Sequence, residues 1–164
     1  MLLFASFLLL AVLIACGGAS DEAQHTQVPT KLESVSASCP VTLPGDTAQL
    51  AGAYFNHGKD GLWTVVWPEG TVTFRPGGPG HVNSDGSMSM KFPWWSSIQG
   101  SLAIEGRRLD APGEMVKHNE SRLSTGFVPS GITFPGEGCW EVTGTIGGAS
   151  LTFVTLVVRV GEET

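Results

Sequence analysis

Charge is scarce in this chain. Only 15% of its 164 residues are Asp, Glu, Lys or Arg, and the nine Lys/Arg are scattered rather than clustered. With a formal net charge of −6, this argues against a nucleic-acid partner, which would meet a basic patch or stripe. The acidity reads as a solubility feature rather than a site. Helical periodicity is missing too: beyond residue 20, no window carries apolar residues at i, i+3, i+4 and i+7 over three turns. Catalytic signatures are equally thin. There is no G-x-S-x-G, and the one Gly-rich serine, in Gly147-Gly148-Ala149-Ser150, has the look of a hairpin turn. No H-E-x-x-H or EF-hand loop is present, and Asn56 to Gly61 has turn chemistry with too few carboxylates for calcium. No cofactor is expected, and an enzyme is the least favoured reading.

Cysteine is also sparse, at three residues, but their positions are informative. Residues 1–15 are almost wholly apolar and uncharged, too short to span a bilayer comfortably but suited to a signal-peptide core. The run ends Leu13-Ile14-Ala15-Cys16, followed by Gly-Gly-Ala-Ser. That resembles the lipobox of bacterial lipoproteins, although the positively charged stretch that usually opens such a leader is missing. The resemblance implies cleavage before Cys16, lipidation of its sulfur and a further acyl chain on the new amino group. Two or three chains would anchor the protein stably to a membrane, where one would be marginal. Residues 16–38 then read as an acylated Cys and a flexible, polar tether, and residues 39–164 as the folded domain.

What is abundant is glycine, at 22 residues, and proline, at 10. That mixture suits many short strands joined by turns. Cys39 to Gly45, with Pro40 and Pro44, reads as an extended edge segment. Leu62 to Trp67, a Pro68-Glu69-Gly70 turn and Thr71 to Phe74 read as a hairpin. Pro76 to Gly80 reads as a loop, and Ser87 to Phe92 as an alternating strand that Pro93 ends. Gly100 to Leu109 is a further strand, and Ala111 to Thr125 a long loop or a loop with one helical turn. Gly126 to Phe134 reads as a strand broken at Pro129 and Gly131. Cys139 to Ile146 and Leu151 to Val160 close the chain, the last being the longest uninterrupted strand. About seven strands with turn signals between them point to an all-β, antiparallel sandwich, with Greek key or meander connections left open.

The stretch F-P-G-E-G-C-W-E-V, from Phe134 to Val142, with the strands around it, resembles the last corner and closing strands of bacterial immunoglobulin-like domains. It implies an immunoglobulin-like sandwich with Trp140 packed into the core, although the Cys-Trp-Cys layout of antibody domains is absent. The run from Cys39-Pro40-Val41-Thr42-Leu43-Pro44 through Met90-Lys91-Phe92-Pro93-Trp94-Trp95 to Gly138-Cys139-Trp140 is similar to uncharacterised bacterial lipoproteins. That likeness implies the cell envelope and no activity.

Three constellations carry site expectations. With Cys16 lipidated and the chain exported, Cys39 and Cys139 remain for a disulfide, the alternatives being free thiols or a metal pair. The bridge would close a loop of about 100 residues, stabilising by about 4 to 5 kcal/mol on the chain-entropy view. Period-two alternation with Trp140 in the core sends Cys139 to the opposite face, so the bridge would clip the Cys39 segment to the outside or the end of the sandwich. His81 with Met88 and Met90 has ligand types that suit copper, set against two methionines that merely fill a core. Trp94 and Trp95, adjacent on extended backbone, point to opposite sides, so one could be exposed to stack on a sugar or a partner protein. The expectation is therefore an envelope lipoprotein whose partners are a membrane, through its anchor, and an envelope protein or polysaccharide.

Overall fold

The computed structural model describes residues 39–50, 52–112, 116–118 and 125–161. The expected leader, lipidation site at Cys16 and tether lie outside the described residues. Twelve strands follow among them in chain order: β1 (Ala48–Leu50), β2 (Ala53–Phe55), β3 (His57–Lys59), β4 (Leu62–Thr64), β5 (Thr71–Phe74), β6 (Gly80–Val82), β7 (Met88–Ser96), β8 (Ala103–Arg108), β9 (Lys117–His118), β10 (Gly126–Phe134), β11 (Gly138–Ile146) and β12 (Ala149–Arg159). No helix among the described residues is long and apolar enough to cross a membrane.

The strands build two principal sheets and a small ribbon. One sheet runs β3-β4-β7-β10-β9, with β6 also paired to β7; the other runs β5-β12-β11-β8; β1 and β2 pair with each other. Because β10 pairs with all of β7 from Met88 to Ser96, β4 and β6 share β7's other edge. The result is an all-β sandwich, as the spacing of strand and turn signals implies. Its pairs are antiparallel except one: β5 runs parallel to β12, with Leu156 opposite Thr71 and Arg159 opposite Phe74.

That parallel pair overturns the expected hairpin. Leu62 to Thr64 belongs to the six-stranded sheet, whereas Thr71 to Phe74 belongs to the four-stranded one. The Pro68–Gly70 segment is a 3₁₀ turn that carries the chain from one sheet to the other. The apolar content of both strands is satisfied by the same core, so composition alone does not distinguish a hairpin from a crossover.

Two further boundaries move for a common reason. β7 continues through Pro93 to Ser96, and β10 runs unbroken through Pro129 and Gly131. Pro93 and Pro129 lie directly opposite each other. A proline cannot donate to a ladder, so this facing pair occupies a non-hydrogen-bonded position of the antiparallel register, where no donor is required. On its other side Pro93 lies between the ends of β4 and β6. The expected loop after Pro112 also contains structure: Lys117 and His118 form β9 against Thr133 and Ile132.

The core lies between the sheets. Met88, Met90, Phe92 and Trp94 alternate inward from β7, and Trp140, Val142 and Ile146 do so from β11. Phe92 stacks on Phe153 across the gap, with ring centroids 5.6 Å apart and planes at 17°. Trp94 lies 6.2 Å from Phe153, and Phe134 lies 5.8 Å from Trp140. Such pairs contribute about 0.5 to 1.5 kcal/mol each beyond the area they bury. The Trp94 indole fits because residue 144 has no side chain: a Cβ there would come within 2.5 Å of Trp94 Cη2. Gly144→Ala is therefore expected to cost about 1 to 3 kcal/mol of stability by overpacking. Denaturant unfolding measures this, and an unchanged midpoint would mean that the indole does not rest on the Gly144 backbone.

Candidate functional site

Cys39 and Cys139 are joined by a disulfide, with Cα atoms 5.5 Å apart. Cys139 opens β11 beside Trp140, and alternation sends the two side chains to opposite faces. Trp140 enters the main core. Cys139 instead forms a second apolar cluster with Cys39, Leu156 and Val158, against which Val41, Leu109 and Val154 pack. The bridge thus fixes the leading segment to the outer side of the four-stranded sheet. Thr42 adds two hydrogen bonds: its N–H donates to the Val154 carbonyl at 2.8 Å, and its Oγ1 accepts from the Val154 N–H at 2.9 Å.

The corner beneath the bridge is polar and paired. The Trp140 indole N–H donates to the Gly136 carbonyl at 3.1 Å, and the Arg108 guanidinium stands 5.7 Å above its ring. Arg108 Nε donates to Asp110 Oδ1 at 2.8 Å. Burial pushes the Asp110 carboxyl up, but hydrogen bonds from Arg108 and from the Cys139 backbone, with the Arg108 charge, outweigh it and hold the group below its ordinary value. The neighbouring Arg107–Glu141 pair, at 2.7 Å with Arg107 64% exposed, is a surface contact of little energetic weight.

Trp94 and Trp95 do face opposite ways, and they differ in burial. Trp94 is fully buried, and its Nε1–H meets no acceptor among the described residues, so its place in the core rests on its bulk. Trp95 is half-buried on the outer side of the six-stranded sheet. There the register lines up four residues across four strands: Gly58 opposite Trp63, Trp63 opposite Trp95, and Trp95 opposite Phe127. Trp63 lies flat on Gly58, whose missing Cβ would overlap the indole ring. Phe127 is 45% exposed. Phe55 of the small ribbon is buried but stands apart from the main core, and its ring lies 6.4 Å from that of Phe127, so the ribbon closes one end of this row.

The copper candidates do not converge. Met88 and Met90 are inside the core, whereas His81 lies opposite Ser89 in the β6–β7 register, and Ser89 points to the other side of β7. Alternation therefore places the imidazole and the thioethers on opposite faces of one sheet. Among the described residues no three His, Cys, Asp or Glu side chains are grouped to hold a metal ion.

His81 instead belongs to a different setting. The loop after β5, Arg75-Pro76-Gly77-Gly78-Pro79-Gly80, runs into β6, and three shallow cavities meet along it. One is lined by Trp67, Pro68, Leu156 and Val158 together with Arg75 and Pro79. A second, of about 470 Å³, is lined by Arg75, Pro76, Gly80, His81, Val82 and Arg159, among others. The third takes in His81, Ser89, Lys91 and Thr133.

No family model, curated protein or solved structure matches this chain. The site residues that sequence reasoning missed are Phe127 as the partner of Trp95, and Arg75 and Arg159 as one cavity's lining. Each depends on which strands pair, and no local pattern encodes that. The alternation of Gly126 to Phe134 offered one available signal, since it puts Phe127 on the face opposite Val128 and Ile132.

Two outcomes follow from this geometry. Cys39→Ser/Cys139→Ser is expected to lose about 4 kcal/mol of unfolding free energy for a loop of this size. Equal urea midpoints for this variant and the native protein would remove the bridge's stabilising role. Asp110, held below its ordinary value of 3.8, contributes stability that is present above that value and lost as pH falls through its lower folded-state value. The stability gap between the native protein and Asp110→Asn should therefore be widest near neutral pH and close in acid. A gap that stays constant with pH would refute the assignment.

Proposed function

We propose that this chain is a bacterial envelope lipoprotein that displays a non-catalytic, immunoglobulin-like β-sandwich on a lipid anchor at Cys16, and works by binding or supporting an envelope partner. The observation that carries the reading is the placement of the Cys39–Cys139 bridge. It joins Cys39, the first described residue, to the head of β11, on the outside of the sandwich. Tension arriving along a tether would then enter a central strand of the four-stranded sheet through a covalent link, without first peeling away the two Thr42–Val154 hydrogen bonds. A bridge between residues 100 positions apart also fits an oxidising, extracytoplasmic setting.

A second reading, favoured by the row Trp63–Trp95–Phe127, is that the sandwich binds polysaccharide. Flat aromatic rings on a sheet surface offer π-faces to the C–H faces of sugar rings. Trp63, seated on Gly58, is only partly buried. In this reading Trp95, and not Trp94, is the tryptophan of the pair that meets the ligand.

Both readings have direct tests. Cys16→Ser should move the protein from the membrane to the soluble fraction of a bacterial host and abolish incorporation of labelled palmitate; membrane retention would sink the lipoprotein reading. In affinity gels cast with soluble polysaccharides, Trp63→Ala and Trp95→Ala should each lose any retardation that the native protein shows. Retardation that survives both substitutions would exclude this face as the sugar site.

A further inference from the structure

The cavity at the loop after β5 supports an inference that depends neither on the anchor nor on the aromatic row. The parallel register sets Arg159 opposite Phe74, so Arg75, the next residue along β5, emerges beside the end of β12. The Val160 N–H donates to the Phe74 carbonyl at 2.9 Å and fixes this alignment. Arg75 and Arg159, 84 positions apart in sequence (159 − 75), thus line one cavity together with His81. The adjoining cavity shares His81 and adds Lys91. Three of the chain's nine Lys/Arg therefore gather around one imidazole, in a protein whose formal net charge is −6.

Carboxylates are also near: Glu137 Oε1 accepts from the Arg159 backbone N–H at 2.7 Å, and Glu69 lines the cavity that adjoins this one at Arg75. We propose that this cavity, formed by Arg75, His81 and Arg159 around the Pro76–Gly80 loop, is a binding site for a phosphate-type oxyanion, free or as a phosphoryl group on a larger ligand. Guanidinium groups present planar forks of donors matched to the oxygens of phosphate, and hydrogen bonds between ionised partners are about twice as strong as neutral ones. A third donor on a separate strand matches a tetrahedral anion better than a planar carboxylate, which a single guanidinium already satisfies.

The test uses the full chain and inorganic phosphate, compared with chloride at matched ionic strength. Phosphate should raise the thermal midpoint saturably where chloride does not, as binding to the folded state requires. In a titration followed by amide shifts, the affected residues should be those of the 75–82 loop and the end of β12. Arg75→Gln and Arg159→Gln should each weaken binding by about tenfold or more, and Arg75→Lys should retain part of it. Lys59→Gln removes the same charge from the β3–β4 turn and should leave the affinity unchanged. Equal midpoints in phosphate and chloride would overturn the proposal, as would a weakening by Lys59→Gln equal to that by Arg75→Gln. Acetate binding as tightly as phosphate would overturn the ligand class. Glu162 and Glu163 follow Gly161, which also lines the cavity. Phosphate binding seen only in Glu162→Gln/Glu163→Gln would mean that the cavity serves the chain's own carboxylates, and the proposal fails. Aromatic-face variants do not bear on this site, so its failure and that of a sugar site are separable.

Discussion

Everything in this molecule depends on the parity of β7. Over nine residues it pairs with β10 along one edge and with β4 and β6 along the other, and it is the only strand of the six-stranded sheet that touches three others. Its even-numbered residues, from Met88 to Trp94, enter the core, and its odd-numbered residues face outward. A slip of one residue would put Lys91 and Ser89 between the sheets and expose two methionines, a phenylalanine and a tryptophan. Such a slip would also break the stack of Phe92 on Phe153, which joins the two sheets across the core. The same parity decides the outer face. It puts Trp95 beside Trp63 and Phe127, and it puts Ser89 opposite His81. Core and surface are thus two readings of one register.

The four-stranded sheet is arranged around a different constraint. Its outer side carries Leu156, Val158 and Val154, an apolar patch that would be unusual on a bare strand face. The leading segment covers it, with Val41 and the disulfide as the covering groups. Because β12 pairs with β5 only from Leu156 onward, its earlier half has an open edge, and Thr42 satisfies the Val154 backbone there. Farther along the same strand, His57 reaches the Thr152 carbonyl at 3.1 Å and sets its ring against Phe153. The edge of β12 is therefore managed in three successive ways: a histidine from the other sheet, a covalently held segment, and a parallel strand.

Much of this was legible in the sequence, and the limit falls at a definite place. Alternation in Met88 to Phe92 gave the buried face of β7, and the uninterrupted apolar run after Leu151 gave β12. The pairing of Cys139 with Cys39, and its outward direction relative to Trp140, followed from residue parity and from the two cysteines that remain once Cys16 is set aside. Beyond the closing hairpin, where β11 and β12 pair across Gly147 and Gly148, the inferences about which strands are neighbours failed. Leu62 to Trp67 and Thr71 to Phe74 look like a hairpin because sequence proximity favours one, yet the Pro68–Gly70 turn crosses between sheets. Pro93 looks like a terminator because proline breaks a ladder, yet a second proline across from it makes the position tolerant. His81 looks like a neighbour of Met88 and Met90 because it is close in sequence, yet cross-strand register sets it on the other face. Long-range pairing is a property of the whole chain, so a local window that finds a strand correctly still leaves its partner undetermined.

Cys139 and Trp140 bring these threads together. They are consecutive, both are buried, and they belong to different apolar clusters on opposite sides of one strand. The tryptophan contributes to the packing that defines the sandwich, through Phe134 and through its indole hydrogen bond to Gly136. The cysteine holds a segment that lies wholly outside that packing. A core residue at position 139 would leave the leading segment without its covalent link, and a cysteine at position 140 would remove the largest side chain at the head of β11. Separation by parity lets the covalent attachment and the core be altered independently, so tension or chemistry at the bridge need not be felt as a repacking of the core. A domain tethered through its leading segment, as proposed above, would draw on that independence, because the bridge is covalent, enters a central strand of the sheet and lies apart from the aromatic row on the other sheet.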